Sequence, residues 1–290
     1  MTATTPATKK SVSNTEDERP ADQFKKRESK ELVVAFSGPL GSGVPTVVDT
    51  TQKVLENRGY TVHRIKLSGF VEESLSNKLI ELQASYQDSR AGRYERLQDG
   101  GNELRRKFAS DILAEFAIKE IARIRTERIP HDMDVDDYVP ERRAYLIDQL
   151  KHPNEVGLLR TVYRNLFYLI GVLSVAERRK KRLTDEGMNE PDAVAAMKRD
   201  QRERNDYGQQ LDKTLQLADF FVRNDKPNVE LLGEQITRLV RLMHSDNGLS
   251  PSRDEYGMYL AYSAGLTSAC LSRVPARIVW TRFCNSGCLS

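Results

Sequence analysis

The sequence lacks long apolar runs, has few cysteines and carries little net charge. No apolar stretch in its 290 residues approaches the roughly 20 residues that a membrane-spanning helix needs. Residues 1–30 contain no apolar core and do not match a secretory signal. The three cysteines are an odd number in a chain without an export pattern, which is typical of reduced thiols. A net charge of +3 is too small to indicate nucleic-acid binding by itself. These absences predict a cytoplasmic protein with no membrane partner.

The composition is that of a polar globular chain with one glycine-rich turn. Hydrophobic residues make up 39% of the sequence and charged residues 30%, and the length fits one large domain or two small ones. Residues 1–30 are rich in Thr, Ser, Lys and Glu and are predicted to be a disordered tail.

The glycine-rich turn follows a short apolar run at residues 32–36 and precedes an amphipathic segment that begins at Val47. A strand, a glycine turn and a helix in this order open a P-loop fold. Backbone N–H groups in such a turn bind phosphate, and the dipole of the following helix favours the negative charge. The candidate nucleotide-binding residues of the turn are Gly38, Gly41, Ser42 and Gly43.

The two positions after Gly43 depart from the P-loop pattern. Where the pattern has Lys and then Ser or Thr, this chain has Val44 and Pro45, and Thr46 lies one position late. The lysine would bind the terminal phosphates and the hydroxyl would hold Mg²⁺. Two alternatives therefore stay open: a phosphate site, or a turn that only joins a strand to a helix.

Strand-like and helix-like segments alternate along the rest of the chain. Strands are predicted at residues 60–67, 143–150 and 166–174, the last buried on both faces. Helices are predicted at residues 70–82, 102–125, 192–204, 209–222 and 228–245, with an exposed loop at 87–101. This order predicts an α/β fold, a P-loop kinase-like parallel sheet with helices on both faces.

Ligands of such sheets bind beyond the carboxyl ends of the strands. That edge should hold the glycine turn, Asp148 and Ser174. Asp148 could hold a metal, or it could cap a loop. The four aspartates of residues 132–137 also fit either a metal site or a solvated loop.

Five consecutive cations, residues 178–182, lie in the segment Glu177–Leu183, which follows the buried strand of residues 166–174. Arginines in that place resemble the basic lid of a nucleotide kinase, which makes Arg178 and Arg179 candidate phosphate ligands. The alternative is a solvated helix face.

Several segments resemble one family, the bacterial anti-phage dCTP deaminases related to deoxycytidylate deaminase. They are residues 37–44, 142–163, 167–183 and 207–224, and the resemblance covers residues 31–273. It implies a P-loop kinase-like domain at 31–248, followed by the first helix of a zinc-dependent deaminase domain at 249–273.

In this family a His-x-Glu motif and a Pro-Cys-x-x-Cys motif follow that helix, bind zinc and move protons during attack on cytosine. This sequence has neither motif, and Cys284 and Cys288 have the wrong spacing. Residues 274–290 match no part of the family. A frameshift or early stop after Arg273 would explain such a tail, which is expected to be poorly ordered.

Two functions are therefore expected. The first is a catalytically inactive, truncated member of the dCTP/dCMP deaminase family, with no catalytic residue and no zinc site of its own. The second is a regulatory module that binds a nucleotide (dCTP, dCMP or an ATP-like molecule) or a small regulatory RNA. A working kinase would need the lysine that Val44 replaces. Members of the family assemble through the deaminase domain, and an exposed apolar face on its first helix would also favour association into a homo-oligomer.

Overall fold

A computed structural model describes residues 31–127, 142–202, 208–225, 228–246 and 248–267. The predicted tail, the acidic loop at 132–137, all three cysteines and residues 274–290 lie outside these ranges. The chain divides into two compact units, one ending at Thr237 and the other beginning at Arg238. No helix among the described residues is long and apolar enough to cross a membrane.

The first unit is built on a five-stranded parallel sheet. Its strands are β1 (Leu32–Ser37), β2 (Thr61–Lys66), β3 (Arg143–Asp148), β4 (Phe167–Leu173) and β5 (Phe220–Arg223). The spatial order is β2-β3-β1-β4-β5, and each neighbouring pair is parallel. The predicted α/β fold class is therefore confirmed. Since the strands are parallel, all their carboxyl ends lie at one edge, where the glycine turn begins.

Helices follow the strands and cover the sheet. They are α1 (Val44–Glu56), α2 (Leu67–Ser76), α3 (Arg90–Lys107), α4 (Ile112–Thr126), α5 (Pro153–Tyr163), α6 (Ala176–Asp185), α7 (Glu190–Arg202), α8 (Leu211–Leu215), α9 (Val229–Met243) and α10 (Arg253–Thr267). Strand β1 is fully buried, and the predicted burial of β4 holds for most of its residues. The main apolar core joins β1, β3 and β4 to α2, α4 and α5.

The exposed loop predicted at residues 87–101 is wrong, because most of this stretch belongs to helix α3. Ser89 caps the helix, its Oγ accepting a hydrogen bond from the Gly92 N–H at 3.1 Å. Gly100 lies inside this helix, where α3 approaches α2. A Cβ at Gly100 would lie 2.6 Å from the Val71 Cγ1 atom. Glycine here allows two helices to pack closely.

The single helix predicted at 102–125 is also two helices. Asn102, the first residue of the predicted helix, lies inside α3. The chain leaves helical geometry after Lys107, and α4 begins at Ile112. Phe108 is 47% exposed at this break.

The helix predicted at residues 209–222 is a short helix followed by a fifth strand. Strand β5 continues the sheet, with Val222 opposite Val172 of β4. The Asp219 carboxylate fixes its start by accepting a hydrogen bond from the Leu169 N–H at 2.8 Å. The spacing of Leu211, Leu215, Ala218 and Val222, at intervals of four, three and four residues, favours a helix, whereas the run Phe220–Arg223 forms a strand.

Two helix boundaries also differ from those predicted. Helix α1 begins at Val44 rather than Val47. Helix α2 spans Leu67–Ser76 rather than residues 70–82. In both cases the observed helix begins three residues earlier than the apolar pattern indicated.

Candidate functional site

The glycine turn joins the end of β1 to the start of α1 at the carboxyl edge of the sheet. Gly41 and Gly43 have φ values of +78° and +80°, a region that side chains with a Cβ rarely adopt. A Cβ at Gly41 would also lie 2.6 Å from the Arg179 carbonyl oxygen. The Ser42 N–H donates to the Pro39 carbonyl at 2.9 Å and closes the turn. Glycine is thus required here for both backbone shape and close packing.

Two arginines of the basic helix α6 hold the carbonyl groups of this turn. The Arg179 Nε atom donates to the Leu40 carbonyl at 2.8 Å. The Arg182 Nη1 atom donates to the carbonyls of Gly41 and Ser42 at 3.1 and 3.0 Å. Burial lowers the pKa of the Arg179 guanidinium, and attraction to Asp200 opposes this shift. Arg179 therefore fixes the position of the turn through its hydrogen bond to the Leu40 carbonyl.

Asn224, directly after β5, also bonds to carbonyls of the turn. Its Nδ2 atom donates to the Ser42 carbonyl at 3.1 Å and to the Gly43 carbonyl at 3.4 Å. The sequence did not predict this contact, since residues 209–222 had been predicted as helix. With its carbonyls bound by α6 and Asn224, the turn has a fixed conformation.

A buried lysine lies at the turn although the P-loop lysine is absent. Lys151 follows β3, and its Nζ atom donates to the Gly38 carbonyl at 3.1 Å. The same Nζ atom pairs with the Asp200 Oδ1 atom of α7 at 3.0 Å. The sequence pattern did not predict Lys151. Its place three residues after the end of β3, at the edge where ligands bind, was the available signal.

Glu155 fixes the backbone conformation at Lys151 through hydrogen bonds. Its Oε2 atom accepts hydrogen bonds from the backbone N–H groups of Lys151 and His152, both at 3.0 Å. Its Oε1 atom pairs with the Arg105 Nη2 atom of α3 at 2.7 Å. This buried carboxylate joins α3, the first turn of α5 and Lys151 into one rigid group.

Two buried polar atoms at the site have no hydrogen-bond partner among the described residues. They are the Ser42 Oγ atom in the turn and the Arg179 Nη2 atom. A Cβ at Gly38 would lie 2.6 Å from this Ser42 Oγ atom, so the hydroxyl lies directly over Gly38. Unsatisfied buried groups are uncommon in folded proteins, and a ligand is one way to satisfy them.

Asp148 and Ser174 lie at the predicted edge, at the ends of β3 and β4. Burial raises the pKa of the Asp148 carboxyl above its ordinary value, against the attraction of Arg64 and Lys66. The Ser174 hydroxyl accepts a hydrogen bond from the Arg182 Nη1 atom at 3.1 Å. Within the described residues, no group of three or more His, Cys, Asp or Glu side chains could hold a metal ion.

A polar cavity of about 340 Å³ lies beside the turn. Helix α6 contributes Arg178, Lys181 and Arg182 to its wall, and the start of α1 contributes Thr46. The remaining wall is formed by Asp185, Asn224, Asp225, Asn228, Val229 and Leu232. The structure thus separates the two predicted arginines. Arg178 faces the cavity, and Arg179 is buried against the turn.

No protein-family model and no curated relative matches the sequence. Solved structures do resemble it. One is the shikimate kinase from Bacteroides thetaiotaomicron, 11% identical, covering 73% of this chain and 98% of its own, with a TM-score of 0.38. Another is the Mycobacterium tuberculosis APS kinase CysC, solved with AMPPNP and APS, 15% identical, covering 75% and 99%, with a TM-score of 0.38. A third is TT1252 from Thermus thermophilus, 15% identical, covering 73% and 97%, with a TM-score of 0.41.

Proposed function

We propose that the first unit is a nucleotide-binding module whose glycine turn receives the phosphate groups. The observation that carries this proposal is the group of buried donors around the turn. Lys151 supplies a cation 3.1 Å from the Gly38 carbonyl, while the Ser42 hydroxyl and one Arg179 nitrogen lack partners within the described chain. Cationic and hydroxyl donors at a glycine turn are the groups that phosphate oxygens accept from.

The adjoining cavity is suited to the rest of the nucleotide. Arg178 and Lys181 in its wall carry positive charge for further phosphates. The same wall contains the amide of Asn228, a type of group that can hydrogen-bond to the edge of a base. Its volume of about 340 Å³ lies in the range of small-ligand pockets, roughly 300–1,000 Å³.

We propose binding without phosphoryl transfer. Val44 and Pro45 occupy the positions of the lysine and the Mg²⁺-holding hydroxyl. Phosphoryl transfer in P-loop enzymes uses this lysine, and the Mg²⁺ that the hydroxyl holds, to neutralise developing charge. The module would therefore sense a nucleotide rather than react with it.

Calorimetric titration with ATP and dCTP tests this proposal. Lys181→Ala removes a charge from the cavity wall and should weaken binding roughly tenfold or more. Lys180→Ala is the matched control, because Lys180 lies on the same helix but pairs with Glu190. It should leave the affinity unchanged. Absence of binding by the folded wild-type protein at millimolar nucleotide would contradict the proposal.

The same titration separates a nucleotide from an RNA. A regulatory RNA would contact the exposed cations of α6 through its backbone, so its affinity should fall steeply with salt for several lysines and arginines together. If a short RNA binds and both mononucleotides fail, the module is an RNA sensor. If nucleotides bind and the RNA does not compete with them, the cavity is the site.

We also propose that the second unit begins a deaminase-like domain, as the family resemblance implies. Helix α10 spans the expected position and starts with a capping box, in which Ser252 and Glu255 bond reciprocally. Its Tyr256, Tyr259 and Leu260 are exposed within the described part of the second unit, and the first helix of a deaminase domain packs such residues on a sheet. The sequence has no His-x-Glu and no Pro-Cys-x-x-Cys, so dCTP deamination by this chain is not expected.

The encoding DNA tests this second proposal. We expect one of the three frames beyond the Arg273 codon to encode a strand, His-x-Glu and Pro-Cys-x-x-Cys. If none of the frames does, the deaminase relationship is contradicted. Conversion of dCTP to dUTP by the purified chain would contradict its proposed inactivity.

A further inference from the structure

A buried carboxylate is bonded to the glycine turn. The Asp200 Oδ2 atom accepts a hydrogen bond from the Leu40 N–H at 2.6 Å, and its Oδ1 atom pairs with the Lys151 Nζ atom at 3.0 Å. The Asp200 side chain is 0% exposed. One acid therefore bonds both a backbone N–H of the turn and the lysine held beside it. A nucleotide phosphate in this turn would use the same two donors.

We propose that Asp200 occupies the phosphate position of the turn and that a nucleotide phosphate displaces it, with Lys151 as the phosphate-binding lysine. This inference rests on the proposed nucleotide-binding function and adds its regulation. The resident carboxylate makes the site autoinhibited: each nucleotide must break the Lys151–Asp200 pair before it binds. The apparent affinity is then lower than the intrinsic one by the fraction of molecules whose site is open.

The surplus of donors at the site distinguishes this arrangement from an ordinary buried ion pair. A carboxylate has two oxygens, and both are already bonded to Leu40 and Lys151. The Ser42 Oγ and Arg179 Nη2 atoms stay without partners among the described residues. A terminal phosphate has three free oxygens and about twice the negative charge at neutral pH. It can therefore satisfy more of these donors than Asp200 does, which gives the displacement a driving force.

The attachment of Asp200 links ligand binding to the position of helix α7. Asp200 lies near the C-terminal end of α7. The apolar side of this helix, Ala193 and Ala196, packs in one cluster with Leu40 of the turn. Arg199 pairs with Asp99 of α3 beside it. Displacement of Asp200 removes the polar anchor between α7 and the turn, so the C-terminal end of α7 becomes more mobile when the turn is occupied.

Asp200→Asn tests the proposal, because asparagine keeps the shape and removes the charge that competes with phosphate. With ATP, dCTP and inorganic tripolyphosphate as probes, we expect Asp200→Asn to bind at least tenfold more tightly than the wild type by calorimetry. Lys151→Met should lose most of the binding. Asp192→Asn is the matched control, since Asp192 is a carboxylate of the same helix that bonds to Asn189. It should bind like the wild type.

The other outcomes separate this inference from the function on which it rests. If the wild type binds and Asp200→Asn binds equally or more weakly, the displacement is contradicted and the nucleotide-binding function stands. If neither folded protein binds any probe, the function itself is contradicted. If tripolyphosphate alone gains affinity, the turn is an anion site and the cavity is not used for the base.

Hydrogen–deuterium exchange on the wild type keeps the proposal testable if Asp200→Asn does not fold. Saturating ATP or dCTP should increase exchange in peptides from Glu190–Arg202 and decrease it in peptides that contain Gly41 and Gly43. Equal or slower exchange in α7 at saturation would overturn the displacement.

Discussion

Glu155 is the residue on which the geometry of the candidate site depends most. It pairs with Arg105, and both side chains are almost completely buried. It also accepts the N–H groups of Lys151 and His152. Removal of one partner from a buried ion pair leaves an uncompensated charge, which costs more than the pair contributes. We therefore expect Glu155→Gln to lower the free energy of unfolding by about 3 kcal/mol, measured by urea denaturation.

A more exposed pair on α3, the helix that carries Arg105, provides the control for this variant. Glu103 pairs with Arg106 at 2.6 Å on the surface of α3. Exposed pairs contribute about 0–1 kcal/mol, so Glu103→Gln should change stability little. Equal effects of the two variants would show that the burial of Arg105 and Glu155 does not matter for stability.

Single residues of the site were only partly predictable from the sequence. Gly41 and Gly43 were, because a glycine turn after a strand has a local pattern. Lys151 and Asp200 were not, because they reach the turn from 113 and 160 positions away along the chain. Local spacing cannot reveal such contacts. The P-loop pattern places its lysine at position 44, where this chain has Val44. The lysine that lies at the turn is Lys151, which that pattern does not include.

Gly157 and Gly100 both lie inside helices but have different surroundings, so replacing each with alanine tests how closely its helix packs against its neighbours. Alanine favours a helix interior over glycine by about 1 kcal/mol. At Gly157 of α5 nothing lies within 4 Å of an added Cβ, so Gly157→Ala should gain stability. At Gly100 of α3 the added Cβ would meet Val71 at 2.6 Å. We expect Gly100→Ala to lose about 1–3 kcal/mol through overpacking between α2 and α3.

Thermal and urea denaturation of the two variants would measure this difference. Both substitutions change the same atoms in a helix interior, so propensity alone predicts the same gain. A stabilising Gly100→Ala would mean that α2 and α3 separate easily. In that case Gly100 would not be required for their close packing.

Helices and strands were predictable where a single local sequence pattern dominated the segment. The strands β1 to β4 have short apolar runs, and four of the five strands were placed correctly. Strand β5 was missed because Leu211, Leu215 and Val222 have helical spacing, although β5 pairs with β4 through Val222. Helix α3 was missed because Gly100 and Gly101 resemble a turn. In both cases tertiary packing decided between two local patterns.

At the scale of the whole molecule, the apolar face of α10 in the second unit bears on self-association. Tyr256, Tyr259 and Leu260 are 55%, 64% and 49% exposed. Their i, i+3 and i+4 spacing places them on one face of the helix. A cavity of about 510 Å³ in the same unit is lined by Leu242, Leu249 and Pro251 together with the two tyrosines. Contiguous exposed apolar surface of this kind promotes association.

We expect the wild-type sedimentation coefficient to rise with protein concentration, and the double variant Tyr259→Ser, Leu260→Ser to suppress this rise. Val162→Ser serves as the control, since Val162 is an exposed residue of α5 in the first unit. It should leave the association unchanged, because single exposed apolar residues are ordinary. A sedimentation coefficient that stays constant over a hundredfold concentration range would contradict the expected homo-oligomer. If the wild type associates and the double variant associates equally, the contact between copies lies elsewhere, and α10 is left available for another domain.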